Sequence, residues 1–273
     1  MSSSARFIFD NAADRAAITA TTAAAGLGAA NLQNDIKGQV CRLTGDAGQI
    51  VLTWPTPQTV GAVVIPASSL GGSSTIRVRG YADAAGTDAL IDTGVRWAAP
   101  GGILEHWDWS QPLNVNSFAW TFPPVTAVYF EHVAVRRIVI DLTDPGAEFM
   151  DLSRLVMGRV LATQYNASYG QSDGIIDATK NERTASGDLR TELGPKAKTL
   201  GFSLDCIRNS ERAQIKQLCS MGVGRSVFVS LCAQNGDPEK ERDKSCYGKL
   251  RQPSAMTWTH FGLHQAAFEV EGF

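Results

Sequence analysis

Short apolar runs that alternate with polar positions dominate the first half of the chain. Five of them are rich in β-branched and aromatic residues and predict strands: Ile50–Trp54, Val60–Ile65, Thr75–Tyr81, Phe118–Phe122 and Ala134–Leu142. In the last run, Ile138 and Ile140 fall on one strand face and Asp141 on the other, so one face is expected in the core. Glycine and proline turns separate the runs without an intervening helical pattern, which predicts an antiparallel β-sandwich.

The second half of the chain predicts a β-α-β-β-β succession. Its first strand would place four alternating residues in the core: Leu200, Phe202, Leu204 and Cys206. Asn209 and Ser210 are good N-cap residues for a helix that would end near Gly222. The helix carries a buried stripe of Ile215, Leu218 and Cys219. Three further strands complete the succession, and strict alternation closes the chain at 268–271.

A polar, glycine-dotted segment from Tyr165 to Lys198 separates the two halves. A structureless loop of this length is improbable inside a compact domain. We therefore expect a long protruding hairpin, or an arm that becomes ordered only against a partner. The predicted domains are residues 1–155, a β-sandwich, and residues 156–273, a second β domain that carries the arm at 165–198.

The segment from Ala16 to Leu32 is rich in alanine and threonine and is interrupted by Gly26 and Gly28. It lacks the leucine-rich core and basic start of a signal peptide, and no segment is apolar enough to predict membrane insertion. We interpret it as an Ala-rich amphipathic helix. Without an export signal, the protein is expected to fold in a reducing cytoplasm.

Composition restricts the classes of partner. The 273 residues favour two domains, and 44% hydrophobic with 19% charged residues is typical of a globular protein. A formal net charge of −2 provides no basic field, so we expect no nucleic-acid partner.

Four of the five cysteines lie in the second half, about a dozen residues apart: Cys206, Cys219, Cys232 and Cys246. The close C-x-x-C pairs that are typical of structural zinc sites are missing. We interpret the four as buried free thiols that pack as small hydrophobic residues, and an iron–sulfur or zinc site remains the alternative. The prediction is a protein without a metal site or cofactor.

The sequence contains no nucleophile elbow, Walker loop, H-E-x-x-H or Rossmann fingerprint, so we predict no catalytic residues and no enzyme. The strongest candidate cluster is Glu105-His106-Trp107-Asp108-Trp109. Trp107 and Trp109 could stack on a sugar ring beside the two carboxylates, or they could complete the core at the edge of a sandwich. A hydrolase using Glu105 and Asp108 is the most distant alternative.

Acidic residues between 235 and 244 resemble a calcium loop only superficially. Lysines and arginines interleave them, and a central glycine for the sharp turn is missing. We interpret this stretch as a solvated hairpin tip.

Two resemblances add to this picture. Asn31-Leu32-Gln33-Asn34-Asp35, the strand 136–141 and Leu152-Ser153-Arg154-Leu155 resemble the opening and closing segments of the discoidin (F5/8 type C) sandwich over residues 30–160. That resemblance implies an antiparallel sandwich that contacts glycans or lipids.

The second half resembles the hub domain of distal-tail and baseplate proteins of long-tailed bacteriophages. The matching features are the polar arm, the strand around Phe202, the helix Ser210–Met221, Tyr247-Gly248-Lys249-Leu250 and the closing strand. The resemblance implies a ring-forming β-sandwich with one flanking helix, whose long hairpin packs on neighbouring subunits, and some such hubs bind an iron–sulfur cluster through C-terminal cysteines.

Together these features predict a mainly β structural protein of a phage tail tip, made in the host cytoplasm and located in the virion. Its expected partners are copies of itself in a ring, other tail-tip and tail-tube proteins, and a cell-surface glycan. The alternative is a stand-alone carbohydrate-binding β-sandwich module.

Overall fold

The computed structural model describes residues 4–36, 38–99, 124–231 and 238–273, and for residues 238–240 the backbone alone. The strands in chain order are β1 (Arg6–Ile8), β2 (Ala17–Ala20), β3 (Cys41–Thr44), β4 (Ala47–Ile65), β5 (Thr75–Tyr81), β6 (Ala89–Asp92), β7 (Arg96–Trp97), β8 (Thr126–Thr143), β9 (Phe149–Leu152), β10 (Val156–Gly158), β11 (Leu161–Ala162), β12 (Ser172–Asp177), β13 (Lys180–Arg183), β14 (Leu189–Glu192), β15 (Lys196–Arg208), β16 (Ser226–Ser230), β17 (Ser245–Leu250), β18 (Met256–His260) and β19 (Leu263–Gly272). Helices α1 (Asn209–Ser220) and α2 (Pro238–Asp243) accompany them, with 3-10 turns at Ala12–Arg15, Ala29–Gln33 and Gly222–Gly224. The fold is mainly β with antiparallel sheets and one flanking helix, α1, as predicted.

The first large sheet has seven strands, in the order β10-β4-β8-β5-β6, with β2 on β4 and β7 on β5. One face packs against the two-stranded sheet β3–β9, and the core between them includes Leu43 and Leu152 on one side and Ile138 and Ile140 on the other. The alternation read from the sequence is confirmed, because Ile138 and Ile140 are fully buried. Strand β4 spans both predicted strands, 50–54 and 60–65, with register shifts between them.

The second large sheet has eight strands, in the order β11-β1-β16-β17-β19-β15-β12, with β18 on β19. Helix α1 covers one face, where Ile215 and Leu218 pack with Phe202, Leu204 and Phe268. The predicted stripe is confirmed for Ile215 and Leu218, and Cys219 packs against it half-buried. Within β17, a Cβ at residue 248 would overlap the backbone oxygen of Glu271, so only glycine lets β19 approach this closely.

The two large sheets pack face to face. Ala62, Val64 and Tyr129 of the first sheet meet Ile8, Phe228 and Tyr247 of the second in a third apolar cluster. Strand β1, from the N-terminal end, lies between β11 and β16 and so contributes to the second sheet. The division at residue 155 stays a prediction. Among the described residues, no helix is long and apolar enough to cross a membrane.

The segment from Ala16 to Leu32 is not the helix that its alanine content predicted. Residues 17–20 form β2, paired with residues 50–53 of β4, and residues 29–33 form only a 3-10 turn. Thr22 and Gly26, which lie between β2 and this turn, have left-handed φ values of 57° and 80°. A continuous right-handed helix does not contain such φ values. Pairing with an available strand edge therefore outweighs the modest helix propensity of alanine.

Cys206 does not face the core as the alternation predicted. The pairing of β15 with β19 shifts between Leu204 and Ile207, with one extra residue on β15. This bulge turns Cys206 outward into solvent and places Ile207 in the core instead. Helix α1 also begins one residue earlier than predicted, since Arg208 is its N-cap and Glu211 accepts the Arg208 backbone N–H at 3.3 Å.

The stretch between 235 and 244 is not a solvated hairpin tip over its described part. Residues 238–243 form α2, and Arg242 is buried there with 8% of its surface exposed. Lys198 holds the end of this helix, as its Nζ donates to the backbone oxygens of Arg242 and Asp243 at 2.8 and 2.6 Å. A cation at the C-terminal end of a helix satisfies carbonyls that lack an intrahelical partner.

Candidate functional site

A cleft of about 330 Å³ opens where the two large sheets meet at one edge. Its apolar wall comes from distant parts of the chain: Ile36, Pro66, Val125, Ile175 and Phe273. Clefts of this size at the junction of two structural layers are common binding sites. Sequence reasoning missed it, since its walls are brought together only by the packing of the sheets.

A charge network closes the floor of the cleft. Arg154 donates through Nη2 to Asp14 at 2.8 Å, and its Nε lies 3.1 Å from Asp35 Oδ1 and 3.2 Å from the Tyr247 hydroxyl. Tyr247 in turn donates to Asp35 at 2.6 Å. Ser226 Oγ donates to the other Asp35 oxygen at 2.7 Å. The carboxylate of Asp35 therefore links the segment after the 3-10 turn Ala29–Gln33 to β16 and β17 of the second sheet.

Burial governs the ionisation of this network. It raises the pKa of Asp14 despite the neighbouring Arg154, and it raises the pKa of Tyr247, with help from the Asp35 carboxylate, to about 12. Burial also lowers the pKa of Lys198 on the cleft wall. These groups are engaged with one another or with helix α2, so the network suits a structural joint better than acid–base chemistry.

Within the predicted arm, residues 165–198, the structure contains a hairpin. Its base is β12 paired with β15, and beyond it β13 pairs with β14 to form a two-stranded ribbon that we call the arm hairpin (Lys180–Glu192). Every residue of β13 and β14 is exposed, and Leu189 and Leu193 expose 60% and 87% of their surface. An isolated two-stranded ribbon is only marginally stable in water, so the arm hairpin has the character of a surface that a partner would cover.

A second exposed apolar feature is the turn between β18 and β19, which we call the aromatic tip (Trp258–Gly262). Trp258 is 78% exposed and Phe261 is fully exposed. Gly262 makes the turn with a left-handed φ of 76°. The Trp258 ring packs edge-on against the ring of the buried His264, with 5.4 Å between the ring centroids. His264 Nε2 lies 3.0 Å from Asn209 Oδ1.

The sandwich also displays an aromatic side chain, Trp97 on the short strand β7. It pairs with Thr75 of β5 and is 67% exposed. The neighbouring Arg96 is fixed by a bond from its Nε to the Thr93 oxygen at 3.2 Å. The predicted cluster of Glu105, Trp107, Asp108 and Trp109 lies outside the described residues. Sequence reasoning passed over Trp97, because two residues of strand carry no readable periodicity.

The cysteines occupy different environments. Cys41 and Cys246 are buried, Cys219 is half-buried and Cys206 is exposed, while Cys232 lies outside the described residues. Burial raises the pKa of the Cys41 thiol to about 11 and that of Cys246 to about 12. In the ranges that the structure describes, no group of three His, Cys, Asp or Glu side chains is placed to hold a metal ion.

No family model matches the sequence, and no curated protein matches it. Several solved structures resemble part of the fold. A chitosan-binding module from a Paenibacillus chitosanase/glucanase has 14% identity and a TM-score of 0.38 over 55% of this chain and 99% of that one. A fucose-binding module from Streptococcus pneumoniae has 12% identity and a TM-score of 0.38 over 55% and 96%.

A fucosidase from Ruminococcus gnavus, solved with fucose, has 12% identity and a TM-score of 0.39 over 57% of this chain and 27% of the enzyme. These values describe a likeness in part of the fold, and no site residue follows from them.

Proposed function

We propose that this chain is a non-catalytic structural protein of a phage tail tip, which assembles into a ring and uses the arm hairpin to contact a neighbouring subunit. The observation that carries the proposal is the arm hairpin itself. It extends from an edge of the second sheet with all residues of both strands exposed and with Leu189 and Leu193 open to solvent. An isolated ribbon of this kind is only marginally stable in water, so contact with another surface would stabilise it.

The base of the arm supports this role. Ala178 N donates to the Pro195 oxygen at 3.1 Å, and Gly194 N donates to Thr179 Oγ1 at 3.1 Å, so two hydrogen bonds connect the arm hairpin to the β12–β15 pair. Such bonds favour a defined direction of the arm, and a symmetric ring requires each subunit to meet its neighbour at a defined angle. The resemblance of this half of the chain to tail hub domains agrees with such a role.

The test is to remove the arm hairpin from the full chain. Residues 180–192 are replaced by two glycines that join Thr179 to Leu193. These two ends lie close together, because Thr179 Oγ1 already accepts the backbone N–H of Gly194. Purified wild-type protein should form rings visible by negative-stain electron microscopy and sediment as one oligomer. The deletion variant should stay soluble and folded by circular dichroism yet sediment as a monomer.

Point variants provide the matched control. Leu189→Ser with Leu193→Ser should weaken the assembly, whereas Lys180→Ser with Arg183→Ser in the same arm should weaken it far less, since exposed charges contribute little. A wild-type protein that stays monomeric at high concentration, or a deletion variant that still forms rings, would refute the proposal.

A second candidate function is carbohydrate binding by the sandwich, and the exposed Trp97 is the observation that favours it. An exposed indole beside a fixed Arg96 offers an apolar face for a sugar ring and donors for its hydroxyls. Structures resembling part of this fold are described as binding chitosan or fucose.

Calorimetric titration of the full chain with chitosan oligomers and with fucose tests this second function. Trp97→Ala should abolish any heat of binding, while Val95→Ala, an equally exposed neighbour, should leave it unchanged. Binding that survives Trp97→Ala would remove Trp97 from the site, and no binding by the wild type would end this candidate for both sugars.

A further inference from the structure

Strand β12 (Ser172–Asp177) forms one end of the second large sheet. All 6 of its residues pair with β15 without a register shift. In the part of the chain that the structure describes, no strand pairs with the other side of β12. The opposite end of the sheet is β11, which has only 2 residues. Very short strands, prolines and bulges commonly protect a sheet edge, and β12 has none of these three features.

A hydrogen bond at the end of β12 shows which main-chain groups face its open side. Ala178 N donates to the Pro195 oxygen at 3.1 Å, so these two residues occupy a hydrogen-bonded position of the antiparallel ladder. Such positions recur at every second residue, so residues 172, 174 and 176 direct their main-chain groups towards β15. The N–H and C=O groups of Asp173, Ile175 and Asp177 therefore point away from the sheet.

The open edge lies beside the apolar wall of the cleft. Ile175, in the middle of β12, is 53% exposed and lines the cleft together with Asp173 and Gly174. Ile36 and Phe273 belong to the same wall and are also exposed. A strand added along β12 places every second side chain on the face that carries Ile175, next to this wall.

Two copies of β12 are poorly suited to pair with each other. In an antiparallel pair, residues with outward main-chain groups face one another, so Ile175 opposite Ile175 places Asp173 opposite Asp177. Like charges directly opposite each other are destabilising. Asp177 lies 3.6 Å from Lys196, but the two side chains stay 42% and 51% exposed. The edge therefore favours a strand that is not acidic at these two positions.

We propose that the outer edge of β12 binds an extended peptide segment of another protein by strand addition. Main-chain hydrogen bonds to Asp173, Ile175 and Asp177 hold the segment, and an apolar side chain opposite Ile175 packs against the apolar wall of the cleft. The residues opposite the two aspartates are neutral or basic. The inference goes beyond the proposed ring and does not depend on it, because β12 lies outside the arm hairpin.

Hydrogen exchange resolved to single amides tests whether the edge is open in the full chain. The amides of Asp173, Ile175 and Asp177 should exchange rapidly. Those of Gly174 and Ile176 should exchange about tenfold more slowly or less, because they are bonded to β15. Slow exchange at all five amides would overturn the inference. Protection of the three outward amides that rises with protein concentration would also overturn it, since a second copy would then occupy the edge.

The binding probe is a synthetic peptide with blocked ends and the sequence Thr-Lys-Thr-Leu-Thr-Lys-Thr, whose binding is measured by fluorescence anisotropy of a labelled form. Bound peptide should protect the amides of Asp173, Ile175 and Asp177. N-methylation of the leucine amide should raise the dissociation constant about tenfold or more, because it removes a bond to β12. N-methylation of a threonine next to the leucine is the matched control and should change it about twofold at most, since that amide points away from β12.

Variants of the full chain provide the second readout. Ile175→Pro removes an outward donor, and proline is tolerated on an edge strand where its nitrogen faces solvent. It should weaken peptide binding about tenfold or more, whereas Ile175→Val, which keeps the donor and an apolar side chain, should not. If Ile175→Pro does not fold, the N-methylated peptides decide.

No binding to the wild type, equal effects of the two methyl positions, or full binding by a folded Ile175→Pro would overturn the inference. The variant that lacks the arm hairpin keeps β12 and should still bind the peptide. Loss of rings with retained peptide binding, or the reverse, therefore shows which of the two proposals fails.

Discussion

Replacing Arg154 by alanine should loosen the joint between the two large sheets. The Arg154 side chain is 9% exposed. Its Nη2 lies 2.8 Å from Asp14 Oδ2 and its Nε lies 3.1 Å from Asp35 Oδ1. Removing one partner of a buried ion pair typically costs about 3–5 kcal/mol, because the remaining charge stays desolvated. Asp14 and Asp35 keep 40% and 33% exposure, so water can solvate them in part, and we expect a loss of about 2–4 kcal/mol.

The control is Arg42→Ala on β3. Arg42 pairs with Asp151 at 2.7 Å and lies over the Phe149 ring, but its side chain is 36% exposed. Exposed pairs contribute about 0.2–1 kcal/mol, so this variant should be clearly more stable than Arg154→Ala. Both are measured by urea unfolding followed by tryptophan fluorescence, with Trp54 as a buried reporter.

The pH dependence of the stability loss in Arg154→Ala provides a second test. Asp14 already has a raised pKa in the folded protein, and losing Arg154 should raise it further. A protonated Asp14 no longer requires the guanidinium, so the cost of Arg154→Ala should be largest near neutral pH and shrink as the solution is acidified. Equal losses for Arg154→Ala and Arg42→Ala, or a cost that grows in acid, would refute the assigned network.

Three further outcomes follow from other parts of the structure. Leu218→Ala on α1 should cost about 2–5 kcal/mol in urea unfolding, because Leu218 is 1% exposed, and a loss of half a kcal/mol or less would contradict its burial. Iodoacetamide at neutral pH should label the exposed Cys206 rapidly and Cys246 only after unfolding, since burial raises the pKa of Cys246 to about 12; early labelling of Cys246 would contradict this. Arg77 holds the pKa of Asp92 near 2, so the stability that Asp92 contributes above its ordinary pKa of 3.8 should be lost as pH falls through about 2. An NMR titration of Arg77→Gln should move the Asp92 pKa back towards 3.8, and an unchanged value would exclude the pairing.

The local pattern of apolar and polar residues predicted the elements that bury one face and leave the other in contact with water. Strand β5 has the predicted bounds, Thr75–Tyr81, because its alternation reflects one buried and one wetter face. The stripe of α1 was readable for the same reason, as the helix packs one side on one sheet. The arm was predictable from its lack of bulky apolar residues.

Elements whose conformation depends on pairing with a distant part of the chain could not be predicted from the local sequence. The bulge that exposes Cys206 exists only in the register of β15 against β19, and β2 is a strand because β4 offers it an edge. Two of the three segments that resemble a discoidin sandwich meet in space, where Leu155 N donates to the Leu32 oxygen at 3.0 Å. Their charged residues, Asp35 and Arg154, also bind Tyr247, which lies more than ninety residues away from either in the sequence. A local sequence pattern cannot predict such a bond.

The layering of the sheets explains where assembly contacts can form. Among the described residues, α1 packs on one face of the second sheet and the first large sheet packs on the other. Exposed sheet edges favour pairing with another chain unless they are covered. The arm hairpin extends from the edge formed by β12, and the aromatic tip projects from one end of β19. The proposed contact through the arm hairpin therefore lies at an edge, where a sheet that packs on both faces can still bind a neighbour.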